Sequence, residues 1–338
     1  MPATLSSREE TSPVLEKIAC PRCGWVDSAI VTSGKDHLYS IAGEFYVSEC
    51  LGCKLWFQNP RPPDELLVSL YPKAYGPHMK PEETVAPAVT AQRTGRLNPL
   101  PYALGVVRRF RTAIDQMTNR NAGVELVPQA VPEGRLLEIG CANGSRLLEL
   151  RSQGWKNLFG IELVPAAAER ARAEGFSVEC GQVEHALEAY PDDSFDVIVS
   201  SMVLEHLSNP FATVRRIAAK LRPGGQFLFS TICRDSLDLK VYGEYWAGFD
   251  FPRHLVHLSK RDIQSMLESE FEGIECFHQT APIDYVRSST WRRADNKKHF
   301  FDRVVLKWGM SRTATMLSTL LASLGLTCRV SYRCRRSY

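Results

Sequence analysis

The sequence predicts an α/β fold with a mostly parallel sheet, helices on both faces, and a small cysteine-rich module in front of it. From about Gly134 onward, short apolar runs alternate with segments of helical periodicity, as in chains whose parallel strands are joined by helices. A glycine-containing turn directly follows the first apolar run. Two cysteine pairs stand near the start of the chain and predict a separate metal-binding module.

Composition and charge exclude several classes of protein. The chain has 338 residues, of which 44% are hydrophobic and 23% charged, as is ordinary for a globular protein of about two domains. No apolar run approaches the ~20 residues of a membrane span, and no signal-peptide pattern opens the sequence. We therefore expect a cytoplasmic protein. The formal net charge of +3 does not by itself point to a nucleic-acid partner.

The chain is expected to divide into five segments, each with its own composition. These are a disordered N-terminus at 1–17, a zinc-binding module at 18–59, a proline-rich linker with helices at 60–125, the α/β core at 126–285 and a basic extension at 286–338.

Periodicity and turn residues predict the individual elements. Core strands are expected at residues 135–139, 158–163, 176–180, 195–200, 226–231 and 273–278. Core helices are expected at residues 145–153, 165–174, 184–190, 211–221 and 260–268. Before the core, a strand is expected at 41–48 and helices at 64–70 and 103–118.

The cysteine pairs predict a structural zinc site. Two C-x-x-C motifs hold Cys20, Cys23, Cys50 and Cys53, and the 26 residues between the pairs can hold a small hairpin. A two-residue spacing lets both thiolates of one turn face a single ion, and four thiolates leave zinc no open position. Redox-active or incidental cysteines are the alternative.

The turn at residues 138–144 reads Glu-Ile-Gly-Cys-Ala-Asn-Gly and joins a predicted strand to a predicted helix. Gly140 and Gly144 let the backbone approach a ligand closely. Glu162 ends the next predicted strand, 22 residues beyond Gly140. An acid at that place in a nucleotide-binding sheet can accept hydrogen bonds from both ribose hydroxyls.

These residues resemble the class I S-adenosylmethionine-dependent methyltransferases, with Ala142 where the family usually has a middle glycine. The resemblance covers residues 134–279 and includes motifs at 160–162, 195–198, 203–207 and 221–225. It implies S-adenosylmethionine as the cofactor, with its ribose on Glu162 and its adenine beside Gln182 and Val183. An NAD-binding domain is the alternative. The implied cofactor residues are Glu138, Gly140, Cys141, Ala142, Gly144, Glu162, Gln182, Val183 and Ser200.

Methyl transfer mainly requires positioning, but a hydroxyl acceptor must also lose a proton. His206 follows the fourth core strand and is our first candidate for a general base, with a structural role in its motif as the alternative. His254 and Tyr245 are further catalytic candidates in the loop where the family builds its substrate lid. In that loop Arg253 could hold a phosphate or carboxylate. A packed aromatic loop is the alternative there.

The resemblance narrows to a bacterial subgroup associated with sugar methylation. The features that narrow it are the zinc pairs, residues 59–63, Leu70-Tyr71 and residues 252–254. We therefore expect a small-molecule acceptor, namely a sugar or glycan hydroxyl. The alternatives are an RNA methyltransferase that binds nucleic acid through the zinc module, and a non-catalytic scaffold with the same fold. The module lacks a dense basic face, which argues against nucleic acid.

The C-terminal extension is strongly basic. Residues 287–338 hold 12 Lys or Arg and 2 Asp or Glu, a local charge of +10, while the rest of the chain carries −7. An apolar stretch of helical spacing follows most of these cations, and a basic amphipathic helix can lie on an anionic membrane surface. Peripheral membrane contact is one reading of the extension, and a helix packed on the body of the protein is the other.

Overall fold

The computed structural model describes residues 12–72, 75, 128–131, 133–297, 299–307 and 313–338. The helix predicted at 103–118, most of the predicted linker and most of the predicted disordered N-terminus lie outside these residues. Within the described ranges, no helix combines the length and apolar character needed to cross a bilayer.

Strands and α-helices are labelled in chain order within the described residues. The strands are β1 (Ser28–Gly34), β2 (Phe45–Cys50), β3 (Trp56–Gln58), β4 (Arg135–Ile139), β5 (Asn157–Glu162), β6 (Ser177–Cys180), β7 (Phe195–Ser201), β8 (Leu221–Ile232), β9 (Val256–His257), β10 (Phe271–His278) and β11 (Arg329–Arg336). The helices are α1 (Ser145–Ser152), α2 (Pro165–Ala173), α3 (Val183–Ala186), α4 (Pro210–Lys220), α5 (Leu237–Tyr242), α6 (Lys260–Leu267), α7 (Pro282–Ala294), α8 (Phe300–Lys307) and α9 (Thr313–Ser323). A 3₁₀-helix occupies Asp64–Leu70.

The core is a seven-stranded sheet in the order β10-β11-β8-β7-β4-β5-β6. The pairings among β4, β5, β6, β7 and β8 are parallel, and those of β11 with β8 and β10 are antiparallel. This arrangement resembles the Rossmann order with one reversed strand inserted near an edge. The predicted α/β class and mostly parallel sheet are confirmed.

Helices cover both faces of the sheet because each buries one apolar stripe. On one face α1 and α2 contribute Leu147, Leu150 and Ala168 to an apolar cluster with strands β4 and β7. On the other face α4 and α6 contribute residues such as Val214 and Ile263. Asn209 caps α4 through its side-chain oxygen, which accepts a hydrogen bond from the backbone of Ala212, and Pro210 opens the helix.

β11 corrects the predicted boundary at residue 285. Residues 329–336 belong to the core sheet, between β8 and β10, instead of to an extension. Val330, Tyr332 and Cys334 are buried, while Arg333 and Arg335 point to solvent. Arg333 and Arg335 are therefore solvent-facing positions of a strand with period-two alternation.

The predicted apolar stretch of the C-terminal segment forms α9. Leu321 is buried against the protein, whereas Met316, Leu320 and Leu324 are exposed. These three residues follow one another at intervals of four and therefore share a helix face. Contact of this region with a membrane stays a prediction.

The N-terminal module contains a four-stranded sheet in the order β1-β2-β3-β9. β9 comes from the core and pairs with β3 through Trp56 opposite His257. Strand β2 begins later than predicted because Asp36 accepts hydrogen bonds from the backbone N–H groups of Leu38, Tyr39 and Ile41, which turns the chain before the strand starts.

Candidate active site

A cavity of about 410 Å³ opens at the carboxyl ends of the core strands. It lies where the sheet order reverses between β4 and β7, which is the usual position of ligands in open α/β sheets. Residues after β4, β5 and β7 form one side of the cavity. The module contributes Leu38 and Tyr39, and the segment after it contributes Leu67, Tyr71 and Tyr75.

The turn after β4 brings the backbone close to this cavity. Gly140 has φ of +76°, and a Cβ there would lie 2.5 Å from Cγ2 of Val203, so glycine is required for both conformation and space. Ala142 has φ of +48°, an uncommon left-handed conformation for a residue with a Cβ. The turn thus keeps its shape although alanine replaces the family's middle glycine.

Glu162 stands at the end of β5 with its carboxylate on the cavity wall. Its Oε2 accepts a hydrogen bond from the Ala142 N–H at 2.9 Å, and its Oε1 accepts one from the Val164 N–H at 2.8 Å. Burial raises the pKa of this carboxyl group. These two backbone bonds fix the carboxylate at the end of β5.

The nine predicted cofactor residues divide into two groups. Gly140, Ala142, Glu162, Gln182 and Val183 line the cavity. Glu138, Cys141, Gly144 and Ser200 are absent from its lining. Ser200 borders a separate small cavity beside Arg146, and its neighbours Ser201 and Met202 face the main one. Alternation along β7 explains this difference, because successive side chains point to opposite faces of a sheet.

Two imidazoles meet at the cavity wall. The rings of His206 and His254 pack edge to face with centroids 4.6 Å apart. Nδ1 of His206 lies 3.0 Å from the carbonyl oxygen of Arg253, and Nδ1 of His254 lies 2.8 Å from that of Gly248. Because a carbonyl oxygen only accepts, both Nδ1 atoms carry a hydrogen. Nε2 of His254 lies 3.7 Å from Oδ2 of Asp250.

Burial and the neighbouring His254 lower the pKa of His206 to about 3. The ring is therefore neutral at physiological pH. Tyr71 places its hydroxyl oxygen 3.0 Å from Nδ1 of the same ring, and burial raises the pKa of this tyrosine, which keeps its proton. The arrangement holds His206 in one orientation at the cavity wall.

We expect His206 to make the fold sensitive to acid. An unfolded histidine has a pKa of about 6.5, so between that pH and about 3 the unfolded chain binds the proton first and stability falls as pH falls. At pH 5 the loss from this residue is roughly 2 kcal/mol. Urea unfolding at pH 7.5 and pH 5 measures the free energy of unfolding that is lost between the two pH values. This loss should be smaller in His206→Asn than in wild type. His185→Asn, at an exposed site, is the control, and equal losses in all three proteins would contradict the expectation.

Tyr245 lies outside the lining of this cavity. Its hydroxyl donates to Oδ2 of Asp295 at 2.9 Å, and its ring packs near His37. This position does not suit the catalytic role predicted for it. The loop that carries Tyr245 is in large part a packed aromatic structure, with Trp246 and Phe249 buried.

Arg253 has a structural role instead of the predicted anion-binding one. Its guanidinium is fully enclosed and donates to both carboxylate oxygens of Asp36, at 2.8 and 3.0 Å, and to both of Asp250, at 2.7 and 3.2 Å. The salt bridge to Asp36 joins the module to the loop that carries His254. Arg253 is absent from the cavity lining, so its guanidinium does not face an acceptor molecule there.

The four module cysteines converge on one point. The Sγ atoms of Cys20 and Cys53 are 3.5 Å apart, those of Cys23 and Cys50 are 3.6 Å apart, and all four lie within 4.8 Å of one another. Four sulfurs at Zn–S distances of about 2.3 Å in a tetrahedron would be separated by roughly 3.8 Å. The donor set and its dimensions are consistent with a structural zinc module.

Several functional positions were not found from the sequence. Asp36, Tyr39 and Tyr75 reach the cavity or its supporting salt bridge from segments that lie far from the core in the chain. Only the contact between module and core gives them a role, and no local motif marks them.

The family model described as a methyltransferase domain matches residues 108–270. The ubiquinone biosynthesis O-methyltransferase of Neisseria meningitidis is 30% identical over 148 residues, which cover 38% of this chain and 62% of that protein. The malonyl-[acyl-carrier protein] O-methyltransferase of a Paenibacillus strain is 32% identical over 180 residues, covering 46% and 64%. The chain thus spans a little under two thirds of these curated relatives.

Solved structures of methyltransferases are also similar to this chain. A SAM-dependent methyltransferase of Thermotoga maritima, described as a possible histamine N-methyltransferase, is 19% identical with a TM-score of 0.44, covering 69% of this chain and 100% of that one. The family match, the curated relatives and the topology agree: residues 108–270 of this chain are similar to S-adenosylmethionine-dependent methyltransferase domains and lie in a mostly parallel α/β core.

Proposed function

We propose that the protein transfers the methyl group of S-adenosylmethionine to a hydroxyl of a small-molecule acceptor, a sugar or a glycan. The observation that carries the proposal is the single cavity in which Gly140, Glu162 and Gln182 face His206 and His254. Relatives named as O-methyltransferases support transfer to oxygen. The sugar acceptor rests on the resemblance of the sequence to sugar methyltransferases.

The cofactor half of the cavity fits S-adenosylmethionine. The fixed carboxylate of Glu162 lies on the cavity wall as an acceptor for ribose hydroxyls, and the absent side chain of Gly140 leaves the backbone accessible. Gln182 and Val183 lie beyond β6, where the adenine would be held. When bound, the sulfonium of the cofactor supplies an already activated methyl group, so the protein needs chiefly to align the acceptor.

The acceptor half combines aromatic walls with two basic nitrogens. Tyr71 and Tyr75 pack edge to face at 5.1 Å, and Tyr39 packs against Tyr75 at 5.7 Å. Such rings suit the apolar face of a sugar. Nε2 of His206 is the proposed acceptor for the hydroxyl hydrogen, with Nε2 of His254 as the alternative. One of the two would hold the oxygen by a hydrogen bond and take its single proton as the methyl carbon passes from sulfur to that oxygen.

The proposal includes a structural zinc at the four module cysteines. The ion would hold together the segment that presents Tyr39 to the cavity and Asp36 to Arg253. We propose the cytoplasm as the place of action, since zinc-bound thiolates persist in a reducing compartment.

The test uses S-adenosylmethionine labelled in its methyl group. Incubated with purified protein and host extract, wild type should place label in sugar or glycan fractions. Glu162→Ala should lose it, because loss of hydrogen bonds from a charged group weakens cofactor binding by about 10- to 100-fold. Affinity for S-adenosylhomocysteine, measured by calorimetry, checks that step.

Glu188→Ala, which removes an exposed carboxylate paired with Arg216, is the control and should match wild type. Label in RNA would overturn the sugar acceptor and support the RNA alternative. Normal binding of S-adenosylhomocysteine by Glu162→Ala would contradict the role given to Glu162.

A further inference from the structure

We propose that Arg287 binds an anionic group of the acceptor, a phosphate or a carboxylate, and thereby selects acidic acceptors. This inference rests on the proposed function, because it concerns the acceptor half of the same cavity. Arg287 lies on α7, is partly buried and lines the cavity.

The charges around the cavity single out this arginine. Within the described residues, six acidic or guanidinium side chains line the cavity, and five of them have hydrogen-bonding partners. For Arg287 alone, no ion pair or hydrogen bond is found among the described residues. The five partnered side chains are Glu162 with two backbone N–H groups, Glu184 with Thr213, Asp250 with Arg253, and Asp284 with Arg329.

The neighbouring acid does not neutralise Arg287. Asp284 lies one turn earlier on α7, but both of its carboxylate oxygens accept from Arg329, at 2.7 and 2.9 Å. The Asp284–Arg329 pair is close to neutral as a unit. The positive charge of Arg287 is therefore available to a ligand, and a guanidinium can bind two oxygens of one phosphate or carboxylate at once.

The position of Arg287 separates it from the reacting atoms. Arg329, the partner of Asp284 on α7, lies on β11 opposite Ile232 of β8. β11 is two strands from β7, whose end carries Ser201 and Met202. Two strand spacings correspond to about 10 Å. The anionic group would thus lie several bonds from the methylated hydroxyl, as in a sugar that carries a phosphate or an acid at a distant position.

The test measures anion binding by the zinc-loaded full chain saturated with S-adenosylhomocysteine. Inorganic phosphate, malonate and neutral malonamide are titrated by calorimetry at constant ionic strength. Wild type should bind phosphate or malonate and not malonamide. Arg287→Gln should weaken the binding of that anion at least tenfold. Arg293→Gln removes an exposed cation of the same helix and should bind like wild type.

The inference would be overturned by no anion binding in the wild-type complex or by equal anion affinity in Arg287→Gln. S-adenosylhomocysteine is titrated first in every variant, so a protein that fails to bind it contradicts the proposed function and not the role of Arg287. Labelled product from extract is then passed over an anion exchanger. Retention that phosphatase abolishes identifies a phosphate, retention that survives identifies a carboxylate, and unretained product contradicts the inference.

Discussion

Asp36→Ala is expected to destabilise the protein by about 3–5 kcal/mol, because it leaves a buried guanidinium without its main partner. Asp36 is 5% exposed and Arg253 is 1% exposed, and the two form a bidentate salt bridge. Asp36 also accepts hydrogen bonds from three backbone N–H groups of the following turn. Urea unfolding at pH 7.5 measures the change in free energy.

The same substitution should abolish methyl transfer. Asp36 holds the turn that carries Tyr39, and it fixes Arg253, whose carbonyl oxygen orients His206. Asp192→Ala, which breaks an exposed pair with Lys220, is the control and should change stability by less than about 1 kcal/mol. A stability loss in Asp36→Ala no larger than in this control would show that the salt bridge does not support the module–core contact.

Cys50→Ala is expected to lose the bound zinc and to unfold the module, since metal binding supplies about 10–16 kcal/mol in small zinc units. Cys50 is buried beside the other three ligands. Transfer activity should vanish. Binding of S-adenosylhomocysteine to the core should be weakened less than transfer activity is. Zinc content, melting temperature and the affinity for S-adenosylhomocysteine are the three measurements.

Cys276→Ala removes an exposed cysteine of the core and serves as the matched control. It should retain one zinc per chain and the wild-type melting temperature. If Cys50→Ala also keeps stoichiometric zinc and unchanged melting, the four cysteines do not form a structural metal site.

The local pattern of apolar residues was sufficient to predict the parallel part of the sheet. β4, β5 and β7 are short apolar runs, and the turn at Gly140 joins strand to helix as predicted, because burial on both faces leaves a continuous hydrophobic signal. β11 escaped prediction because Arg333 and Arg335 alternate with buried residues. A count of charges hides that alternation. Antiparallel pairing with β8, between residues about a hundred positions apart, has no local signature.

The candidate site was predictable only where a motif lies next to its strand. Glu162 and His206 occur in such motifs and do line the cavity. The predicted roles of Arg253 and Ser200 failed for different reasons. The partner of Arg253 is Asp36, more than two hundred residues away, and the exchange of Ser200 for Ser201 depends on the face of β7 that meets the cavity.

Strand β9 has a consequence for engineering and inheritance. The module sheet is completed by Val256 and His257 from the core, and Gln58 donates to the carbonyl oxygen of His254 at 2.7 Å. The folded module is therefore encoded by two separate parts of the gene. A recombination event or a designed chimaera would have to move both parts. Residues 12–71 grafted alone onto a different α/β core would lack their fourth strand and the partner of Asp36, and residues 250–257 would have to be transplanted with them.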